Sequence, residues 1–123
     1  MSLESCYEQF GGDLEGVRGR LLTDERIKKF MSIFLQDTSY QLLLDSWESG
    51  NTAEAFRAAH TMKGTGRDLG FTPLYEASAA LADALRLDES GTPANRDAAP
   101  ALLEQTKQAY ELVIGAITSE LNR

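Results

Sequence analysis

Apolar residues recur at steps of three and four along almost the whole chain, and no stretch alternates for long as a strand would. That spacing predicts helices throughout. A short segment from Leu3 to Phe10 comes first; Gly11-Gly12 breaks the chain, and Asp13 can cap a brief helix through Leu21. Thr23 is a good N-cap for the next helix, with Asp24 and Glu25 suited to its positive end and a stripe of Ile27, Phe30, Met31 and Phe34. Another helix is expected from near Asp37 or Thr38, carrying Tyr40, Leu43, Leu44 and Trp47 and stopping at Gly50. Asn51, with Glu54 in capping-box spacing, opens a helix that contains His60 and runs toward Leu69-Gly70. Thr72 and Pro73 read as the N-cap and first-turn proline of a helix with Leu74, Ala77, Leu81 and Leu85 on one side. Residues Asp88 to Asn95 read as a loop. The last helix is expected from near Asn95 or Asp97. Its stripe is Ala99, Leu102, Thr106, Ala109, Val113 and Ile117, widened by Leu103, Tyr110 and Leu121.

One-sided stripes must be buried against one another, so the expected fold is all-α: an up-and-down four-helix bundle with additional short N-terminal helices. Gly50, Gly70 and Pro93 cut the pattern into lengths too short for an extended coiled coil. With 123 residues, a single domain over 1–123 is expected, closing on itself as a monomer.

Composition narrows the function classes. Hydrophobic residues make up 42% and charged residues 25%, which predicts a packed core rather than disorder. No apolar run approaches the roughly 20 residues that cross a bilayer, and the acidic start at Glu4 does not resemble a signal peptide. Cys6 is the single cysteine, so no internal disulfide can form, and a cytoplasmic location is expected. No histidine or acidic pair is spaced to activate it as a nucleophile. A net charge of −7 disfavours nucleic acid and anionic membranes as partners. No carboxylate cluster has the logic of a metal site, so no bound cofactor is expected. In so acidic a chain, a local cluster of cations is informative.

Such a cluster surrounds His60, the one imidazole. Ala55, Phe56, Ala59, Met62, Gly66 and Leu69 gather on one side of its helix, and His60 lies about a third of a turn from their centre. The ring is therefore expected at the rim of the core and open to solvent. Arg57, Lys63 and Arg67 fall on its face at i−3, i+3 and i+7, and Gly64 sits at i+4, where a long side chain would shield it. Cations so placed suit added phosphate charge. Mid-helix glycines cost about 1 kcal/mol each relative to alanine. Access for a partner at Gly64 and close helix packing at Gly66 are reasons to tolerate them.

The run Ala59-His60-Thr61-Met62-Lys63-Gly64-Thr65-Gly66, followed by Leu69-Gly70, resembles the signature of histidine-containing phosphotransfer (HPt) domains. Met62 stands where that family usually has leucine, and Gly66 takes the small-residue place. The resemblance spans roughly Thr23 to Arg86. It departs at Leu81-Ala82, where many members have Leu-Glu, and at Arg67, which is larger than many residues at that place. The resemblance implies a phosphoryl carrier without independent turnover: His60 takes the group from a receiver phosphoaspartate and passes it to another receiver. It implies receiver domains of response regulators as partners, with a hybrid sensor histidine kinase among the candidates and Mg²⁺ supplied by the receiver. Within it, Lys63 is expected to contact phosphoryl oxygens and Gly64 to open access. Arg57, Arg67, Phe56 and Arg86 are expected to tune phosphate or partner binding. Leu42, on the opposite side of its helix from Tyr40, Leu43 and Trp47, is an expected docking contact.

Other readings fit less well. A sensor-kinase dimerisation domain places Glu and then Pro shortly after its histidine, whereas Thr61 follows His60 and no proline comes before Pro73. Lys63-Gly64-Thr65-Gly66 has the wrong order for a phosphate-binding loop and no preceding strand. A hydrolase would need a nucleophile elbow and an orienting third group. A bundle of the same fold that binds partners without using His60 remains the alternative.

Overall fold

The computed structural model describes residues 2–122. It contains α1 (Leu3–Phe10), α2 (Leu14–Leu21), α3 (Asp24–Leu35), α4 (Ser39–Glu48), α5 (Thr52–Asp68), α6 (Thr72–Leu85) and α7 (Ala99–Leu121), with a 3-10 turn, Arg96–Ala98, leading into α7. Helices α4 to α7 form the bundle. The middle helix, α5, packs on α4 and α6, and α6 packs on α7. Tyr40 of α4 and Tyr110 of α7 stack with centroids 4.0 Å apart and bring those helices together. Phe34 ties α3 to the bundle through Phe71 and Tyr110, and α1 lies against α7.

Most expected caps form. Asp13, Thr23 and Asn51 accept backbone N–H groups of Gly16, Arg26 and Glu54. Three expectations need correction. Glu54 does not complete a capping box: its carboxylate pairs with Arg57, and the Asn51 amide is already bonded to the Ser46 carbonyl. Thr72 is the first helical residue rather than the cap of α6; Phe71 holds the cap position because its fully buried ring is fixed among Phe10, Phe34 and Tyr7. Ala77 is only half-buried, and Ser78 takes the core position beside Leu74, Leu81 and Leu85. Its hydroxyl donates to the Leu74 carbonyl at 2.6 Å, which removes the cost of burying it.

Small residues set the spacing of α5. Ala55, Ala58, Ala59 and Gly66 are buried and let both neighbours come close. A Cβ on Gly66 would stand 3.0 Å from the Tyr75 nitrogen and 3.2 Å from its Cα, so a side chain there would make α6 give way by a few tenths of an ångström. At Gly64 a Cβ would meet nothing within 4 Å.

The N-terminal helices close off the far end of α5. The last carbonyls of a helix have no partner within it. Here Arg20 donates to the carbonyls of Arg67 and Asp68, both at 3.0 Å, the buried Tyr7 hydroxyl donates to Leu69 at 2.7 Å, and the Asp13 N–H donates to Gly70 at 2.9 Å. Gly70, at φ +71°, has no room for a Cβ beside Val17.

Two stability outcomes follow. In urea unfolding, Gly64→Ala should raise stability by about 1 kcal/mol through helix propensity alone, and Gly66→Val should lower it by about 1–3 kcal/mol through the clash with α6. Equal shifts for the two would contradict the packing described. Tyr7→Phe takes away the partner of a buried carbonyl and should lower stability by about 1–3 kcal/mol; an unchanged unfolding midpoint would mean that this end of α5 is held by other means.

Candidate functional site

His60 lies near the middle of α5 and is exposed, while its neighbours Ala59 and Met62 are buried. The rim position given by the helical count is where the ring stands. Around it the structure separates residues that share a face in sequence. Phe56, one turn earlier and half-buried, stacks on the imidazole with centroids 5.8 Å apart and planes inclined by 25°. Arg86, at the end of α6, sets its guanidinium carbon 5.0 Å from the centre of the Phe56 ring and lies 3.8 Å from the Asp83 carboxylate. This trio joins α5 to α6 at the end opposite the Gly66 approach. Lys63 and Gly64 occupy the next turn of α5, both partly exposed.

The cations differ in how they are engaged. Arg57 pairs with Glu54, and Arg67 with Asp68 at 3.3 Å. Among the described residues no carboxylate lies within ion-pair distance of Lys63. Of the three cations expected on the face of His60, Lys63 has no acid partner and Arg57 and Arg67 are each balanced by a local acid, as is Arg86 from α6. Leu42 is 43% exposed, but it lies on α4 rather than on the α5–α6 side where Phe56, His60 and Arg86 meet.

Other chemistry finds little support. Cys6 is 2% exposed, and burial, aided by the charge of Glu120, pushes its thiol up to about 11, which disfavours the nucleophilic thiolate at neutral pH. The buried hydroxyls of Ser78 and Thr106 donate to the Leu74 and Leu102 carbonyls. No group of three or more His, Cys, Asp or Glu placed to hold a metal occurs among the described residues. A cleft of about 430 Å³ opens beside the last turns of α5, lined in part by Leu21, Phe30, Ile33, Thr65 and Leu69. It does not include His60, so its volume says nothing about chemistry at that ring.

Sequence reasoning placed Phe56 on the core side and among the residues that tune phosphate or partner binding, and missed its contact with His60, although i, i+4 spacing on a helix makes such a contact readable. It missed Tyr7 and Arg20 at the end of α5, for which no local signal exists.

The Hpt domain family model matches residues 29–115, which takes in α4, α5 and α6 and most of α7. Comparison with curated proteins and with solved structures gave no match. Hpt domains carry phosphoryl groups on histidine in phosphorelays, in general without enzymatic activity of their own, and interact with receiver domains of response regulators or kinases. The matched segment and the helical bundle that it forms place this chain in the Hpt domain family.

Proposed function

We propose that this chain carries a phosphoryl group on His60 between receiver domains. The observation that supports the reading most is the exposed imidazole at mid-helix, in the matched segment, with open space at Gly64 one turn on. Phosphoryl transfer asks mainly for in-line positioning and charge stabilisation. The Nε2 lone pair attacks the phosphorus of a receiver aspartyl phosphate. The N–P bond forms as the acyl O–P bond breaks, the aspartate leaves as carboxylate, and the Nδ1 proton passes to solvent. Transfer to a second receiver reverses these steps.

Within this reading Lys63, the cation without an acidic neighbour, contacts the phosphoryl oxygens. Gly64 keeps the approach clear. Arg57 and Arg67 tune affinity by exchanging their local carboxylates for phosphate, and Leu42 contributes to docking from α4. Mg²⁺ belongs to the receiver, and the partner is a response regulator or the receiver of a hybrid kinase. No helix among the described residues is long and apolar enough to cross a membrane. A monomer working in the cytoplasm is the proposed state.

Incubated with a phosphorylated receiver and Mg²⁺, the protein should acquire an acid-labile, base-stable phosphate. His60→Gln should abolish labelling with the helical circular dichroism unchanged, and Lys63→Ala should slow transfer about tenfold, the worth of one charged hydrogen bond. Label retained by His60→Gln would rule out this acceptor. Receiver binding without labelling of the wild-type protein would make the chain an adaptor of the same fold.

A further inference from the structure

The lone pair of an imidazole nitrogen lies in the ring plane, so the plane of His60 sets the line along which Nε2 can meet phosphorus. Rotation about χ2 of a histidine is broad. At an exposed position, only a neighbouring side chain can narrow it. Phe56 is such a neighbour: its ring lies against the imidazole at 5.8 Å, with the two planes within 25° of parallel. An aliphatic side chain would fill the same space without defining a plane. Phe56 is in turn held from the next helix, where the Arg86 guanidinium stands 5.0 Å from its centroid and 3.8 Å from Asp83. Stacked aromatic rings and cation–ring contacts of this kind favour particular orientations beyond simple burial.

We propose that Phe56 is a positioning residue for His60, with Arg86 securing the Phe56 ring, so that the plane of the imidazole is fixed before a receiver arrives. The role deepens the reading of His60 as the phosphoacceptor and rests on it. It acts on the orientation of the attacking ring, not on docking, which separates it from a surface contact.

The test combines NMR of the His60 ring with single-turnover transfer from a phosphorylated receiver. Phe56→Leu should remove the ring-current shift on the His60 ring protons. It should slow transfer about tenfold at saturating receiver, as expected for a misaligned attacking group, and leave the receiver concentration for half-maximal rate unchanged. Phe56→Tyr keeps the ring and should restore both the shift and the rate. Arg86→Gln alters an exposed side chain, so it serves if Phe56→Leu does not fold. It should weaken the shift and slow transfer in the same direction by a smaller factor. Wild-type transfer rates in Phe56→Leu, or in Arg86→Gln where that variant stands in, would overturn the positioning role. So would a slowdown that lies wholly in the half-saturating receiver concentration, or one that Phe56→Tyr fails to restore. These results leave His60 as acceptor, whereas absence of label on the wild-type protein removes the acceptor reading and this role with it.

Discussion

The close approach of α5 and α6 at Gly66 fixes the rest of the bundle. With no side chain at Gly66, the Tyr75 backbone comes to 3.0 Å from where a Cβ would stand, and the Phe71 N–H reaches back to the Gly66 carbonyl at 2.8 Å. The turn between the helices is short, so their register is set at this end and carried along both as rigid rods. At the other end of the same seam the register brings Arg86 over Phe56, whose ring lies against His60 one turn along its own helix. A shift of one residue in either helix would turn its side chains by about 100° and part Arg86 from Phe56. The glycine thus governs the surroundings of a histidine to which it makes no direct contact.

The N-terminal helices serve the same helix from below. α1 and α2 lie before the segment that matches the family model, and their hydrogen bonds go to the carbonyls of residues 67–70. Leu69 and Gly70 are buried, so protein donors must replace water at their carbonyls, and on the exposed residues Arg67 and Asp68 a side chain supplies the donor as well. Tyr7 and Arg20 do so at sequence separations of 62 and 47. Fraying of α5 from its C-terminal end is opposed by chain that lies outside the common core of the family.

Helical periodicity was enough to read the order of the elements and the face that each buries, because burial of a stripe is a local property of sequence. The rim position of His60 followed from the same count. Legibility ended where the outcome depends on a partner distant in sequence or on competition between partners. Ser78 displaced Ala77 from the core because a hydroxyl can satisfy itself on its own helix, which a hydrophobicity pattern does not see. Glu54 turned from the helix start to Arg57 because the amide that it would have capped already had a carbonyl. Arg86 was expected to tune phosphate or partner binding, but the side chain that it meets was not legible. Its place over Phe56 depends on the α5–α6 register, which Gly66 hints at and the structure determines.

The distribution of charge near His60 bears on how a carrier can let go. Of the four cations on or near its face, three arginines are each matched with a carboxylate one to three residues away, Glu54, Asp68 and Asp83, and Lys63 alone is not. A nest of unmatched arginines would bind a phosphoryl dianion tightly and hold it, since charge-assisted and bidentate contacts are the strong ones. Matched arginines have to give up one acid to gain another, so their net contribution is small at an exposed surface. On the proposed function, this leaves a phosphoryl group on His60 stabilised mainly by one flexible lysine, enough to favour arrival and too little to prevent departure. The overall negative charge of the chain works in the same sense, because it adds a repulsion that the bound group feels and the free imidazole does not. A site with more positive charge would make a better sink and a poorer relay.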